Sequence, residues 1–155
     1  MPELPEVETV RRGLQPNLRG ARVMAVTVHE RRLRWPIAPD FEAALTGATV
    51  RDIERRSKYL LFRLQDGRTW LAHLGMTGSF VLHRAPTPPA LRSHDHVDIT
   101  LAMRDDTAHL RYNDPRRFGS MHVFAGRDDQ QPLLAALGPE PLTAAFNADY
   151  LYAAT

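Results

Sequence analysis

The feature that most constrains this fold is a series of short strand-like segments, each rich in β-branched or aromatic residues and bounded by turn signals. They cover residues 21–28, 49–56, 59–64, 69–74, 79–83, 97–103, 108–112 and 120–124. Asp66-Gly67 and the segment 104–106 are typical of hairpin turns, and Asp40 is expected to cap a short helix over residues 41–46. Many short strands at this spacing favour antiparallel sheets packed face to face. We therefore predict a mainly β fold with a few helices, in which two antiparallel sheets form a β-sandwich that carries an N-terminal helix.

The start of the sequence predicts that N-terminal helix. Apolar residues recur there at helical spacing, at Leu4, Val7, Val10, Leu14 and Leu18. Pro5 suits a first helical turn, because the N–H that it lacks has no helical partner at that position. Glu6 would lie in the same turn, where the helix dipole favours negative charge and anionic ligands such as phosphate. Acidic residues at a helix start serve the same purpose in non-catalytic helices, so the spacing alone leaves both interpretations open.

Pro2 is a candidate nucleophile if Met1 is removed, and the small second residue makes removal an expected event. Pro2 would then carry a secondary α-amine, a group that titrates near ~8 and is partly neutral at working pH. Such an amine can attack an aldehyde-level carbon and form a Schiff base. If Met1 stays attached, the Pro2 nitrogen belongs to an amide and cannot attack.

Composition limits the classes of site that are possible. The sequence has no cysteine, which excludes disulfides and thiolate zinc sites. No apolar run is long enough to span a membrane, and the acidic N-terminus is unlike a signal peptide, so we expect a cytoplasmic protein. The net charge is only +2, so a nucleic-acid partner requires a local basic patch. Lys58, the single lysine, could bind phosphate or donate a proton, although most surface lysines do neither.

Two glycine-bounded loops carry candidate DNA contacts. Met76 lies in the loop 73–78, and Arg116 and Phe118 lie in the loop 113–119. Taken singly, these residues could be core filler or ordinary loop residues. Together they suit a wedge, because an enzyme that acts on a base in duplex DNA must extrude it. Apolar side chains can then enter the vacated stack, and an arginine can donate to the base left behind.

The segment His94-Asp95-His96 places two histidines on one face of a strand, as zinc ligands could be placed. No third or fourth ligand is evident in the sequence. We therefore predict no metal site and favour structural or DNA-contacting roles for these histidines.

The opening Met-Pro-Glu-Leu-Pro-Glu-Val-Glu-Thr resembles the start of formamidopyrimidine-DNA glycosylases, the bacterial base-excision enzymes for oxidised purines. The resemblance implies a two-sheet sandwich, a monomeric protein, and glycosylase and apurinic/apyrimidinic (AP) lyase activity. The implied partner is double-stranded DNA that contains oxidised bases, such as 8-oxoguanine and formamidopyrimidines, or abasic sites. The implied catalytic residues are Pro2 as nucleophile, Glu3 as acid, Glu6 in support and Lys58 in strand cleavage. The implied DNA-binding residues are His73, Met76, His94, Arg116 and Phe118.

The resemblance also implies a division of the chain. Residues 1–138 correspond to the catalytic sandwich domain, and residues 139–155 correspond to the start of a truncated helical domain with a helix-two-turn-helix. Full-length relatives continue into a zinc finger, which has no counterpart in this sequence, so we expect no cofactor. We accordingly expect a fragment with weak activity on its own.

Two other interpretations remain open. One is the sister enzyme, endonuclease VIII, which acts on oxidised pyrimidines; Leu4 and the complete Arg116/Phe118 loop favour the purine enzyme. The other is a non-catalytic DNA-binding sandwich, which applies if the Pro2 nitrogen is blocked.

Overall fold

The computed structural model describes residues 4–137 of the chain. The first compact unit contains helix α1 (Leu4–Leu18), strand β1 (Arg22–Val28), helix α2 (Phe41–Leu45), and strands β2 (Val50–Arg56), β3 (Tyr59–Leu64), β4 (Thr69–His73), β5 (Ser79–His83), β6 (Asp95–Met103), β7 (Asp106–Asn113) and β8 (Ser120–Phe124). A second unit starts at Ala125 and contains a 3₁₀ turn (Asp128–Gln130) and helix α3 (Pro132–Ala135). No helix within residues 4–137 is long and apolar enough to cross a membrane.

The strands form two antiparallel four-stranded sheets, with the orders β1-β6-β7-β5 and β2-β3-β4-β8. An aromatic cluster joins the two sheets. Phe80 on β5 packs edge-on against Phe62 on β3 and Trp70 on β4, with ring centroids 5.7 and 5.8 Å apart. All three rings belong to one buried core, and burial of each large apolar side chain contributes about 1.5–3 kcal/mol. The predicted β-sandwich with an N-terminal helix is confirmed.

Helix α1 buries the apolar stripe that the sequence predicts. Val7, Leu14 and Leu18 are almost fully buried in the sandwich core. The helix is also fixed through polar contacts to β2, because the Gln15 amide donates to the Asp52 carboxylate over 2.8 Å. Packing of this face, rather than helix propensity, therefore holds α1 in place.

Three local predictions need correction. Strand β7 spans Asp106–Asn113 rather than residues 108–112, because its ladder to β6 continues to the pairs Met103–Asp106 and Asp95–Asn113. Strand β6 begins at Asp95, two residues before the predicted start, because Asp95 pairs with Asn113 across the ladder to β7. Asp40 occupies the N-cap position of α2, but its backbone is not extended and its side chain makes no capping hydrogen bond. The predicted domain boundary at residues 138–139 lies outside the described residues.

A cavity of about 670 Å³ lies where the end of α1 meets the β6–β7 turn, and Arg19, Arg84 and Arg104 contribute to its lining. The cavity lies near the end of β6, where Ala102 pairs with Arg22. The loops that carry the predicted site residues lie at the opposite end of the strands, near the start of β6 at Asp95. Duplex DNA is too large for such a cavity, so the predicted site must be an exposed surface.

Candidate nucleic-acid interface

The strand register gathers the predicted site residues at one end of the sandwich. In one sheet, Tyr59 pairs with His73, and His73 pairs with Ser120. In the other sheet, Asn113 pairs with Asp95. Two connections, β4 to β5 and β7 to β8, cross between the sheets at this end. We call it the site end, and its connections are 29–34, 57–58, 74–78 and 114–119, together with His94.

Lys58 lies in the β2–β3 turn at the site end and is half-buried. The preceding Ser57 has a φ of 54°, in the left-handed region. Arg55 donates one hydrogen bond to the Ser57 carbonyl over 3.1 Å and another to the Glu8 carboxylate over 3.0 Å. This bridge ties the second turn of α1 to the turn that carries Lys58. Glu6, predicted to support catalysis, is exposed in the first turn of α1.

Helix α1 begins at Leu4, directly after Pro2 and Glu3 in the chain. Pro2 and Glu3 lie outside the described residues, so the roles assigned to them stay predictions. The anchor of the helix is electrostatic as well as apolar: hydrogen bonds from Arg11 and then Arg55 lower the pKa of Glu8 to about 2. Glu8 is therefore ionised at neutral pH and holds the start of α1 on β2.

His73 ends β4 beside Lys58, and its protonation state follows from its contacts. Its Nδ1 accepts a hydrogen bond of 3.0 Å from the Gly75 backbone N–H. Burial lowers the pKa of His73, and the charges of Lys58 and Arg34 lower it further. The imidazole is thus neutral, with its proton on Nε2. That N–H is a hydrogen-bond donor, and the predicted contact of His73 with a DNA phosphate stays a prediction.

His94 and His96 lie in different environments, although the sequence predicted them on the same face of a strand. His94 is exposed at the site end and has a φ of 69°. His96 is 1% exposed, and its two ring nitrogens lie 2.9 and 3.0 Å from the carbonyl oxygens of Glu30 and Asp114. Both nitrogens of His96 are occupied, so it is a structural residue. Within residues 4–137 no group of three or more His, Asp or Glu side chains could hold a metal ion.

Met76, Arg116 and Phe118 form an exposed tip between the two crossing loops. Met76 is 41% exposed and Phe118 is 42% exposed, which is unusual for large apolar side chains. The Arg116 guanidinium carbon lies 4.9 Å from the centre of the Phe118 ring. Gly75 packs against the Phe118 backbone so closely that a Cβ would meet its carbonyl carbon at 2.5 Å. The two predicted wedge loops are therefore in direct contact.

Arg34 and Trp35 also belong to the site end, and the sequence analysis did not identify them. The Arg34 N–H donates to the Gly119 carbonyl over 3.1 Å, which places this segment beside the wedge loop. The Arg34 guanidinium lies 5.7 Å from the centre of the Trp35 ring, and Trp35 is 46% exposed. The sequence feature that could have identified them is an arginine followed by a tryptophan directly before Pro36.

Ion pairs hold nine arginines of the sandwich, namely Arg11, Arg12, Arg19, Arg31, Arg32, Arg55, Arg63, Arg68 and Arg111. Within the described part of the chain, Arg34, Arg116 and Arg117 form no ion pair. These three arginines give the site end a local concentration of positive charge. This local patch is what a nucleic-acid partner requires and what the net charge alone could not reveal.

Comparisons with known proteins agree with this geometry. Residues 1–121 match the formamidopyrimidine-DNA glycosylase N-terminal domain family. The formamidopyrimidine-DNA glycosylase of Laribacter hongkongensis is 52% identical over 148 residues, which cover 96% of this chain and 53% of that protein.

Two solved structures of the Lactococcus lactis formamidopyrimidine-DNA glycosylase are also similar. One is a complex with FAPY-dG-containing DNA (TM-score 0.75, 32% identity, covering 90% of this chain and 51% of that chain). The other is bound non-covalently to DNA with an AP site (TM-score 0.77, 32% identity, covering 94% and 54%). This chain spans about half the length of the relatives that it matches.

The family match covers most of the chain, and the observed sandwich is the fold that the resemblance implied. The chain therefore belongs to the formamidopyrimidine-DNA glycosylase family and corresponds to its N-terminal domain.

Proposed function

We propose that this chain supplies the nucleophile and the DNA wedge of a bifunctional DNA glycosylase and AP lyase for oxidised purines. Its partner is double-stranded DNA that contains an oxidised base or an abasic site. The observation that carries the proposal is the exposed tip of Met76, Arg116 and Phe118. Arg34 and Arg117 lie beside this tip, and neither forms an ion pair with another of the described residues. A single chain contains all of these groups, so the proposal requires only a monomer.

The tip addresses the first step of the reaction, which is extrusion of the damaged nucleotide. Extrusion breaks base stacking and pairing, at a cost of a few kcal/mol. Met76 and Phe118 would offset part of this cost by filling the vacated space in the stack. Arg116 would donate hydrogen bonds to the unpaired base, and His73 and Lys58 would contact backbone phosphates.

The amine of Pro2 would then carry out the covalent step. Its nitrogen forms a bond to the sugar C1′ while the glycosidic bond breaks, and the departing base takes up a proton. Glu3 protonates the ring oxygen as the sugar opens, which leaves an iminium at C1′. The iminium makes the C2′ proton acidic, and loss of that proton expels the 3′-phosphate and cuts the strand.

Borohydride trapping tests this proposal. The chain processed to begin at Pro2 should form a stable covalent adduct with duplex DNA that contains an abasic site. The matched control has one N-acetylated alanine added before Pro2, which converts the Pro2 amine to an amide, offers no other α-amine and should abolish the adduct. Pro2→Gly should lose only part of the adduct, because glycine still offers an amine.

Trapping that survives the added alanine would refute Pro2 as the nucleophile. Salt-sensitive binding of duplex DNA without any trapping would instead identify a non-catalytic DNA-binding sandwich.

A further inference from the structure

The strongest unassigned feature is the carboxylate of Asp114, which is completely buried at the site end. One oxygen accepts hydrogen bonds from the Thr77 hydroxyl (2.7 Å) and the Arg117 N–H (3.1 Å). The other accepts from the Tyr112 hydroxyl (2.8 Å) and the Gly119 N–H (2.8 Å). Four donors from β7 and from both wedge loops therefore meet at a single side chain.

The backbone of Asp114 extends the same network to the remaining loops. Its N–H donates to the His94 carbonyl over 3.0 Å, and its carbonyl lies 3.0 Å from Nε2 of the buried His96. The Thr77 hydroxyl, in turn, accepts from the Arg116 N–H over 3.1 Å. The segments that present Met76, Arg116 and His94 are thus all connected within one or two hydrogen bonds of Asp114.

The choice of an aspartate is informative because a buried carboxylate is unfavourable without compensation. Within residues 4–137 no cation forms an ion pair with Asp114, so neutral donors supply the compensation. A carboxylate only accepts hydrogen bonds and can take all four donors, whereas an asparagine amide would turn its own donor toward two of them. Burial and the Asp114 charge raise the pKa of Tyr112, which keeps the phenol protonated as a donor.

We propose that Asp114 is a positioning residue that locks the Met76 loop and the Arg116–Phe118 loop into one rigid wedge. This inference rests on the proposed function, because a wedge is useful only to a protein that opens duplex DNA. A preformed wedge loses less conformational entropy when it enters the stack, so more of its contact energy is available for base extrusion. The lock acts through loop geometry, and Asp114 itself touches no DNA.

The structural half of the proposal is tested by amide hydrogen exchange in the 155-residue chain. Asp114→Asn and Thr77→Val each remove links between the loops, and Thr77→Val keeps the side-chain shape. An asparagine keeps one oxygen and replaces the other by NH₂, so at least one of the Arg117 and Gly119 amides should exchange about tenfold faster or more in Asp114→Asn. In Thr77→Val, the Arg116 amide should exchange faster instead, because it loses its hydrogen bond to the Thr77 hydroxyl. The exchange rates of the β-sheet amides should not change. Unchanged exchange of these amides would overturn the lock.

The functional half is tested with the chain processed to begin at Pro2, by comparing borohydride trapping on abasic-site DNA in duplex and single-stranded form. Only the duplex requires a wedge, so the ratio of duplex to single-strand trapping should fall about tenfold in both variants. Asp98→Asn removes a partly buried carboxylate that contacts neither wedge loop, and Thr46→Val removes a remote threonine hydroxyl bond. Both controls should keep the wild-type ratio.

The outcomes separate the two proposals. Equal loss on both DNA forms in Thr77→Val, or an unchanged ratio in both variants, would overturn the positioning role while leaving the proposed function intact. If the wild-type chain traps neither the duplex nor the single-stranded DNA, the proposed function is wrong. The hydrogen-exchange measurement would still test whether Asp114 connects the two loops. If Asp114→Asn does not fold, Thr77→Val carries both measurements.

Discussion

Replacement of Gly75 by alanine should disrupt the contact between the wedge loops. Gly75 has a φ of 64°, and a Cβ built there lies 2.5 Å from the Phe118 carbonyl carbon and 2.6 Å from the Gly119 nitrogen. Both neighbours are backbone atoms, which cannot rotate away as a flexible side chain could. Alanine therefore requires the two loops to move apart or the backbone to distort.

The expected loss of stability has two parts. The left-handed backbone costs a non-glycine residue about 1–2 kcal/mol, and overpacking adds about 1–3 kcal/mol. We expect Gly75→Ala to lower the free energy of unfolding by about 2–5 kcal/mol. Loops that separate would relieve part of this cost, but they would also displace Phe118 and weaken duplex binding.

Gly67→Ala is the matched control, because Gly67 has a φ of 93° and nothing within 4 Å of its added Cβ. It should show only the conformational cost of about 1–2 kcal/mol. Denaturant unfolding measures both variants, and titration with abasic-site duplex at fixed salt measures binding. If Gly75→Ala loses no more stability than Gly67→Ala and keeps wild-type affinity, the inferred contact between the loops is wrong.

Two further predictions concern charged residues. The pKa of Glu8 is lowered in the folded state to about 2, so its stabilisation is complete above about pH 4.5 and disappears as pH falls toward 2. The loss of unfolding free energy in Glu8→Gln should therefore be about 2 kcal/mol at pH 7 and should vanish near pH 2 in urea melts; an equal loss at both pH values would contradict the ion-pair argument. If Arg116 donates hydrogen bonds to the unpaired base, Arg116→Ala should reduce the discrimination among the four bases opposite an abasic site by about 1–3 kcal/mol in competition binding. The control Arg104→Ala, in the β6–β7 turn, should leave this discrimination unchanged. If Arg116→Ala weakens binding equally for all four opposite bases, Arg116 contacts only phosphate.

The fold could be predicted from the sequence because its local signals agree with one another. The segments 59–64, 79–83 and 120–124 were predicted with the bounds that the structure shows. The stripe through Val7, Leu14 and Leu18 correctly identified the buried face of α1. Predictions were least accurate at the ends of helices and strands, because tertiary contacts decide at which residue an element begins or ends. Asp95 joins β6 only because Asn113 lies opposite, a pairing that no local pattern encodes.

The site was predictable only in part. The exposed wedge residues were identifiable because glycines bound their loops and because the chain resembles a known family. Asp114 was not identifiable, since a buried aspartate after a strand has the same local sequence as an exposed turn aspartate. Arg34 was also missed, because its place beside Gly119 depends on a backbone hydrogen bond between segments that are far apart in sequence.

Backbone strain gives an indication of the site that is independent of the family resemblance. Within residues 4–137, the non-glycine residues with positive φ are Ser57, His94 and Arg117. Each costs about 1 kcal/mol or more in this region, and such strain persists only where surrounding contacts impose it. All three lie at the site end. Ser57 precedes Lys58, His94 is itself a predicted DNA contact, and Arg117 lies between Arg116 and Phe118. Folding alone would be better served by glycine at these positions, so we expect their side chains or the loop shapes that they impose to contribute to the proposed DNA binding.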